Sequence, residues 1–139
     1  MLLDSNILIS AAEPEGAFLS RWVEDAAACL ATVSRIEVPG FPRWHLLDET
    51  RRARLELLVG ALPELPLDDR IAARVIELRR QKKMSLADSI LAATALRHRL
   101  PLVTQNEAER RRVTPYQMSA ETRLLPDVSG MWLRFSRRC

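Results

Sequence analysis

The chain has 139 residues, enough for one domain with a hydrophobic core and too few for two domains of ordinary size. Apolar residues make up 47% and charged residues 28%, which excludes a disordered chain. With only 5% aromatics, the core must come from Leu, Ala, Val and Ile, a mix that suits helices packed on a sheet better than a β-sandwich. The net charge of +3 arises entirely within residues 105–139, because the first 104 residues carry as many acidic as basic side chains; a basic tail on a neutral body can attract phosphate, although a solvated terminus is the simpler reading.

Two cysteines do not make a disulfide framework. Cys29 lies in the apolar run from Ala26 to Val33 and reads as a buried thiol, while Cys139 is terminal. No apolar stretch approaches the roughly 18 residues of a membrane span. Met1-Leu2-Leu3 runs directly into Asp4 without a basic leader. A reducing cytoplasm is therefore the expected location, with no membrane association.

In chain order, Leu2 and Leu3 predict a short buried strand ending near Asp4, followed by a turn or helix start at Ser5-Asn6. Pro14 and Gly16 interrupt before Ala17, Phe18, Leu19, Trp22 and Val23, which recur at helical spacing. Cys29 to Val33 is apolar, ends in β-branched residues and predicts a second strand. Ser34-Arg35-Ile36-Glu37 has the form of a capping box, with Ser34 as N-cap and Glu37 at N3, opening a helix that Pro39, Gly40 and Pro42 bend or shorten.

From His45 to Gly60 apolar residues sit among many charges, as on an exposed amphipathic helix. Pro63 and Pro66 bracket an extended piece around Leu65 and Leu67. Asp68 predicts the cap of a helix bearing Ile71, Val75 and Leu78, whose end is marked by the cluster Arg79-Arg80-Gln81-Lys82-Lys83. Ser85-Leu86-Ala87-Asp88 is a second box of the same type, starting an alanine-rich helix from Ser89 to Arg99. After Pro101, Leu102-Val103-Thr104 predicts another short strand, ending at Gln105-Asn106. Strands alternating with helices indicate an α/β sandwich with a mostly parallel central sheet flanked by helices.

In such a sheet, ligands gather outside the carboxyl ends of the strands. Asp4, Glu37 and Asp88 all fall there, with Asn106 or Glu109 as a fourth group after the last clear strand. Each acid has a plainer explanation: Asp4 as a helix cap, Glu37 and Asp88 as the far members of capping boxes. Their conjunction argues otherwise, because carboxylates crowded at one edge repel one another unless a cation neutralises them. Hard oxygen ligands select Mg²⁺ or Mn²⁺ over Zn²⁺.

Four segments carry a resemblance: Leu3-Asp4-Ser5-Asn6-Ile7-Leu8, Ser34-Arg35-Ile36-Glu37-Val38, Leu86-Ala87-Asp88-Ser89-Ile90-Leu91-Ala92-Ala93-Thr94-Ala95 and Leu102-Val103-Thr104-Gln105-Asn106. In order and spacing, across about residues 1–110, they resemble the signature blocks of PIN-domain ribonucleases, and most closely the VapC-type toxins of toxin–antitoxin pairs. The resemblance implies a PIN-like three-layer sandwich and a Mg²⁺- or Mn²⁺-dependent endoribonuclease. It also implies a homodimer, neutralised by a cognate antitoxin. Asp4, Glu37 and Asp88 become metal ligands, with Glu37 also orienting the attacking water. Asn6, Thr104 and Asn106 become polar groups that orient the carboxylates.

Two departures stand out. Where many members read T-x-N-x-x-D-F, this chain reads Thr104-Gln105-Asn106-Glu107-Ala108-Glu109-Arg110, so the fourth catalytic carboxylate falls to Glu109 or is replaced by Asn106. Beyond Val113 no family pattern continues, which divides the chain into a nuclease domain at 1–113 and a divergent basic segment at 114–139. A catalytically weakened PIN-fold module that binds RNA or protein is the alternative. A phosphate-handling receiver domain ranks last, since Ser5 and Asn6 follow Asp4 where a second acid is needed. His45 and His98 read as surface or interface residues, Arg79 to Lys83 as a solvated helix end, and Trp22 and Trp44 as core or interface aromatics.

Overall fold

The computed structural model describes residues 1–104. Asn106, Glu109, Cys139 and the whole 114–139 segment lie outside the described residues. Four short strands form one parallel sheet: β1 (Leu2–Leu3), β2 (Cys29–Ala31), β3 (Glu64–Leu65) and β4 (Leu102–Val103), in the order β3-β2-β1-β4. Leu2 is in register with both Cys29 and Leu102, and Leu30 with Glu64. The chain therefore steps outward from β1 to β3 and returns to place β4 on the other side of β1. This reversal opens a crevice beyond the carboxyl ends of β1 and β4.

The layers follow from the two-residue period of the strands. Leu3, Leu30 and Val103 point to one side, where they pack with Ile7, Leu8 and Ala11 of α1 (Ser5–Ala12) and with Leu55 and Val59 of α4 (Glu49–Ala61). Leu2, Cys29, Ala31 and Leu102 point to the other, against Leu91 and Ala95 of α6 (Leu86–His98). Outside α6, α5 (Asp69–Gln81) contributes Ile71, Val75 and Leu78 to a further apolar cluster. The expected three-layer α/β sandwich is present. Two shorter helices, α2 (Ser20–Val23) and α3 (Thr32–Gly40), complete the flanks among the described residues.

Several local expectations hold. Asp68 accepts a hydrogen bond from Ile71 N at 2.7 Å, and Ser85 Oγ accepts one from Asp88 N at 3.1 Å, so both cap their helices. Cys29 is buried, and burial pushes its thiol pKa up despite the nearby N-terminal charge. His45 and His98 are exposed. Trp22 and Trp44 are partly buried against the core.

Three local expectations fail. Ser34 is not an N-cap: α3 begins at Thr32, and Ser34 is wholly buried inside it, donating to the Leu3 carbonyl at 3.3 Å. The β-branched pair Thr32-Val33 belongs to the helix rather than the strand. Thr32 Oγ1 donates to Glu64 Oε1 at 2.7 Å and accepts from Leu67 N at 3.2 Å. These bonds tie the helix start sideways to the β3 region, a tertiary demand that overrides strand propensity. Likewise the helix expected from His45 starts only at Glu49, capped by Asp48, after a 3₁₀ turn at Trp44–Leu46.

Candidate functional site

Asp4 ends β1 and caps α1, so its backbone is pinned by sheet and helix together. Its N–H donates to the Val103 carbonyl at 3.1 Å, and its side chain is 1% exposed. A buried carboxylate needs donors; Thr104 and Asn6 supply them, and the Ser5 hydroxyl stands close by. Thr104 Oγ1 donates to Oδ2 at 2.8 Å, Asn6 Nδ2 to Oδ2 at 3.4 Å, and Ser5 Oγ lies 3.2 Å from Oδ1. Asn6 N also approaches Oδ1 at 3.5 Å, a weak version of the expected cap. The capping explanation for Asp4 thus holds, in a weak form.

Glu37 arrives from α3. Because that helix begins at Thr32, Glu37 sits in its second turn, where no helix N-terminus claims its carboxylate. Instead Ser5 Oγ donates to Glu37 Oε2 at 2.8 Å. Ser5 therefore stands between two carboxylates, and its single proton favours the shorter contact to Glu37. Burial is the main cause that raises the Glu37 pKa; the Ser5 hydrogen bond opposes it, and the charges of Asp4 and Asp88 raise it further. Asp88 enters from the first turn of α6 and is partly buried.

These three acids line one open cleft of about 300 Å³ beyond the carboxyl end of β1. Ser5 and Asn6 contribute further oxygen and nitrogen; Ile9, Phe41, Pro42 and Leu91 form apolar walls, and among the described residues no basic side chain lines it. Among the described residues, no three His, Cys, Asp or Glu side chains stand close enough for a preassembled metal cage. The donor chemistry nonetheless fits a hard divalent cation: all three acids are oxygen donors, the charges of Asp4 and Asp88 already act on Glu37, and among the described residues no cationic side chain lines the cleft. Asp4, Glu37 and Asp88 are the residues able to hold it.

The sequence-predicted residues Asp4, Asn6, Glu37, Asp88 and Thr104 thus converge, whereas Asn106 and Glu109 lie outside the described residues. Ser5 was missed as a functional residue. Its only sequence signal is its place between Asp4 and Asn6, since its partner Glu37 is 32 positions away.

The chain is similar in fold to proteins of known structure. A toxin–antitoxin complex from Klebsiella pneumoniae matches at 29% identity and a TM-score of 0.59, covering 76% of this chain and 85% of that one. FitAcB from Neisseria gonorrhoeae matches at 23% identity and a TM-score of 0.62, covering 81% and 91%. VapBC2 from Rickettsia felis, bound to a promoter DNA fragment, matches at 16% identity and a TM-score of 0.59, covering 81% and 92%. The last two show likeness of fold. No curated protein sequence matches. The family profile described as the PIN domain matches residues 1–113, and with a parallel sheet that gathers Asp4, Glu37 and Asp88 at one edge, the chain belongs to the PIN domain family.

Proposed function

We propose that this protein is a divalent-metal-dependent endoribonuclease toxin neutralised by a cognate antitoxin. The observation that carries the reading is a cleft lined by three carboxylates and, among the described residues, by no basic side chain. Asp4, Glu37 and Asp88 would hold Mg²⁺ or Mn²⁺, with Glu109 or Asn106 as a fourth group. Bound there, the cation would acidify water and offset the charge that builds on the scissile phosphate. Thr104 and Asn6 fix the Asp4 carboxylate, so that its geometry is set before substrate arrives. Ser5 holds Glu37 Oε2, which leaves Oε1 to accept a hydrogen bond from the attacking water.

The antitoxin partner is supported by the similar structure from Klebsiella pneumoniae, which is described as a toxin–antitoxin complex. RNA as substrate, self-association into a homodimer and a division between 1–113 and 114–139 complete the reading, carried by the family resemblance. No helix among the described residues is long and apolar enough to cross a membrane, which is compatible with the proposed cytoplasmic location. The decisive experiment is cleavage of labelled RNA by purified protein with Mn²⁺, Mg²⁺ or EDTA, beside Asp4→Asn and Asp88→Asn. Cation-dependent cleavage lost in both variants is expected; full activity in Asp88→Asn would falsify the assignment. A second reading, a binding module without turnover, predicts RNA or protein binding indifferent to Mn²⁺.

A further inference from the structure

The acid cleft does not end at its own walls. Asn6, Ile9, Phe41 and Pro42 also line a neighbouring groove of about 740 Å³, so the two depressions share one continuous rim. Their charge differs. Among the described residues the cleft is lined by three acids and no base, while the groove is lined by Arg43 and Arg51 with one acid, Glu13. A polyanion seated in the cleft has only a bound cation to neutralise it there. Flanking phosphates that cross into the groove meet Arg43 and Arg51 there.

The two arginines are not equivalent. Arg51 is already held by Glu13 at 3.0 Å and Asp48 at 3.3 Å. Arg43 is exposed and has no ion pair among the described residues. Its backbone is nevertheless fixed. Trp44 N donates to the Phe41 carbonyl at 2.9 Å, closing a turn with Pro42 at its second position and Arg43 at its third. The Arg43 torsions of φ −95° and ψ 5° are those of a type I turn, for which the proline is preorganised. Phe41, at the boundary of cleft and groove, is steadied by Trp44, whose ring lies 6.1 Å away at 87°. A cation on a stiff turn, beside an aromatic ring and next to an acid cleft, matches what a single nucleic-acid strand needs: a charge for its backbone and a face for a base.

Resting on the nuclease reading above, we propose that single-stranded RNA leaves the acid cleft across the Phe41–Pro42 turn and enters this groove, where Arg43 binds a phosphate flanking the scissile one. Arg43 is thus a positioning residue that sets the path of the strand, and Phe41 is the surface on which a flanking base rests. Because Arg43 acts on substrate and transition state alike, its loss raises KM and leaves kcat nearly unchanged.

The test uses the full chain in the Asp88→Asn background, so that a short fluorescent single-stranded RNA is bound and not cut. Affinity is measured by anisotropy from 50 to 200 mM salt at one fixed Mn²⁺ concentration, raised until the weakened site of the Asp88→Asn parent is filled. One phosphate contact on a single strand contributes about 0.7 to the slope of log K against log salt. Arg43→Ala is expected to lower the slope by about that amount and to weaken binding several-fold at low salt. Arg43→Lys, which keeps the charge, should retain the slope. In the otherwise wild-type enzyme, Arg43→Ala should raise KM several-fold. An unchanged slope in Arg43→Ala, with the parent binding RNA normally, overturns the proposed path and leaves the nuclease reading standing. Weakened antitoxin binding with an unchanged RNA slope overturns it too, by assigning the groove to a protein partner. Failure of the parent to bind RNA and of the wild type to cleave it removes the nuclease reading itself.

Discussion

Thr104 Oγ1 and Asp4 Oδ2 lie 2.8 Å apart, joined by a hydrogen bond that spans one hundred positions of sequence. Both groups are almost fully buried, and both sit at the carboxyl ends of adjacent parallel strands, β4 and β1. The bond makes strand pairing and site geometry a single property. Thr104→Val keeps the shape and removes the donor. It is expected to cost about 1–3 kcal/mol of stability and to lower metal affinity or turnover by roughly 10- to 100-fold. Thr104→Ser should retain most of both. Denaturant titration and Mn²⁺ dependence of cleavage measure the two effects, and a Val variant with wild-type Mn²⁺ dependence would show that Thr104 does not orient Asp4.

Glu37 supplies a pH signature in the metal-free protein. Its folded pKa lies above the ordinary glutamate value of 4.5, mainly through burial and with the help of Asp4 and Asp88. The folded state then holds this proton more tightly than the unfolded chain. Stability from this group is complete below pH 4.5 and is lost as pH rises through the elevated folded value. Glu37→Gln, which cannot ionise, should flatten that decline and leave the metal-free protein more stable near neutrality, while abolishing cleavage. Denaturation in EDTA from acid to neutral pH checks this; a Gln variant that declines as steeply as the wild type would assign the effect elsewhere.

Ser5→Ala removes the hydrogen bond that opposes the rise at Glu37. The Glu37 pKa should move further up, and the stability decline described above should extend to higher pH. Side-chain NMR titration of the metal-free variant reads the shift directly. A downward movement would mean that Ser5 directs its proton chiefly to Asp4 rather than to Glu37.

A cation that binds the folded protein alone raises its melting temperature, by the equivalent of about 2.7 kcal/mol at one hundred times its dissociation constant. Mn²⁺ should therefore stabilise the wild type saturably, and EDTA should reverse the gain. Asp4→Asn and Asp88→Asn should lose most of it. Equal stabilisation of wild type and both variants would place the cation outside this cleft.

Gly16 tests the packing behind the site. A Cβ built there would fall on the carbonyl of Ser10, a backbone atom in α1 that cannot yield easily. Gly16→Ala should destabilise by about 1–3 kcal/mol through overpacking, whereas Gly60→Ala meets open space and gains helix propensity. A neutral Gly16→Ala would show that the 3₁₀ turn at Pro14–Leu19 can move away from α1.

How far this was readable in advance depends on the range of each interaction. Asp68 and Ser85 announce themselves because a cap and its helix are neighbours in sequence. Asp4, Glu37 and Asp88 were legible as acids near strand ends, and a parallel sheet turns such positions into neighbours. Ser34 misled because its local pattern suits a cap, while its hydroxyl is taken by the Leu3 carbonyl across the sheet. Thr32 misled for the same reason, through Glu64 and Leu67. The Ser5 bridge and the continuity of cleft and groove exist only once β1 and α3 are packed, so no local pattern encodes them.

Helix α6 carries Asp88 on a rod whose residues from Ser89 to Ala95 are all buried, with Ala92 and Ala93 wholly enclosed between the sheet and α5. Such a rod has no slack. Its methyl groups act as spacers, and their thickness sets how far Asp88 stands from Asp4 and Glu37. A valine at 92 or 93 would displace the whole helix rather than one side chain, so the gap between the acids is gauged by alanines that never touch a ligand.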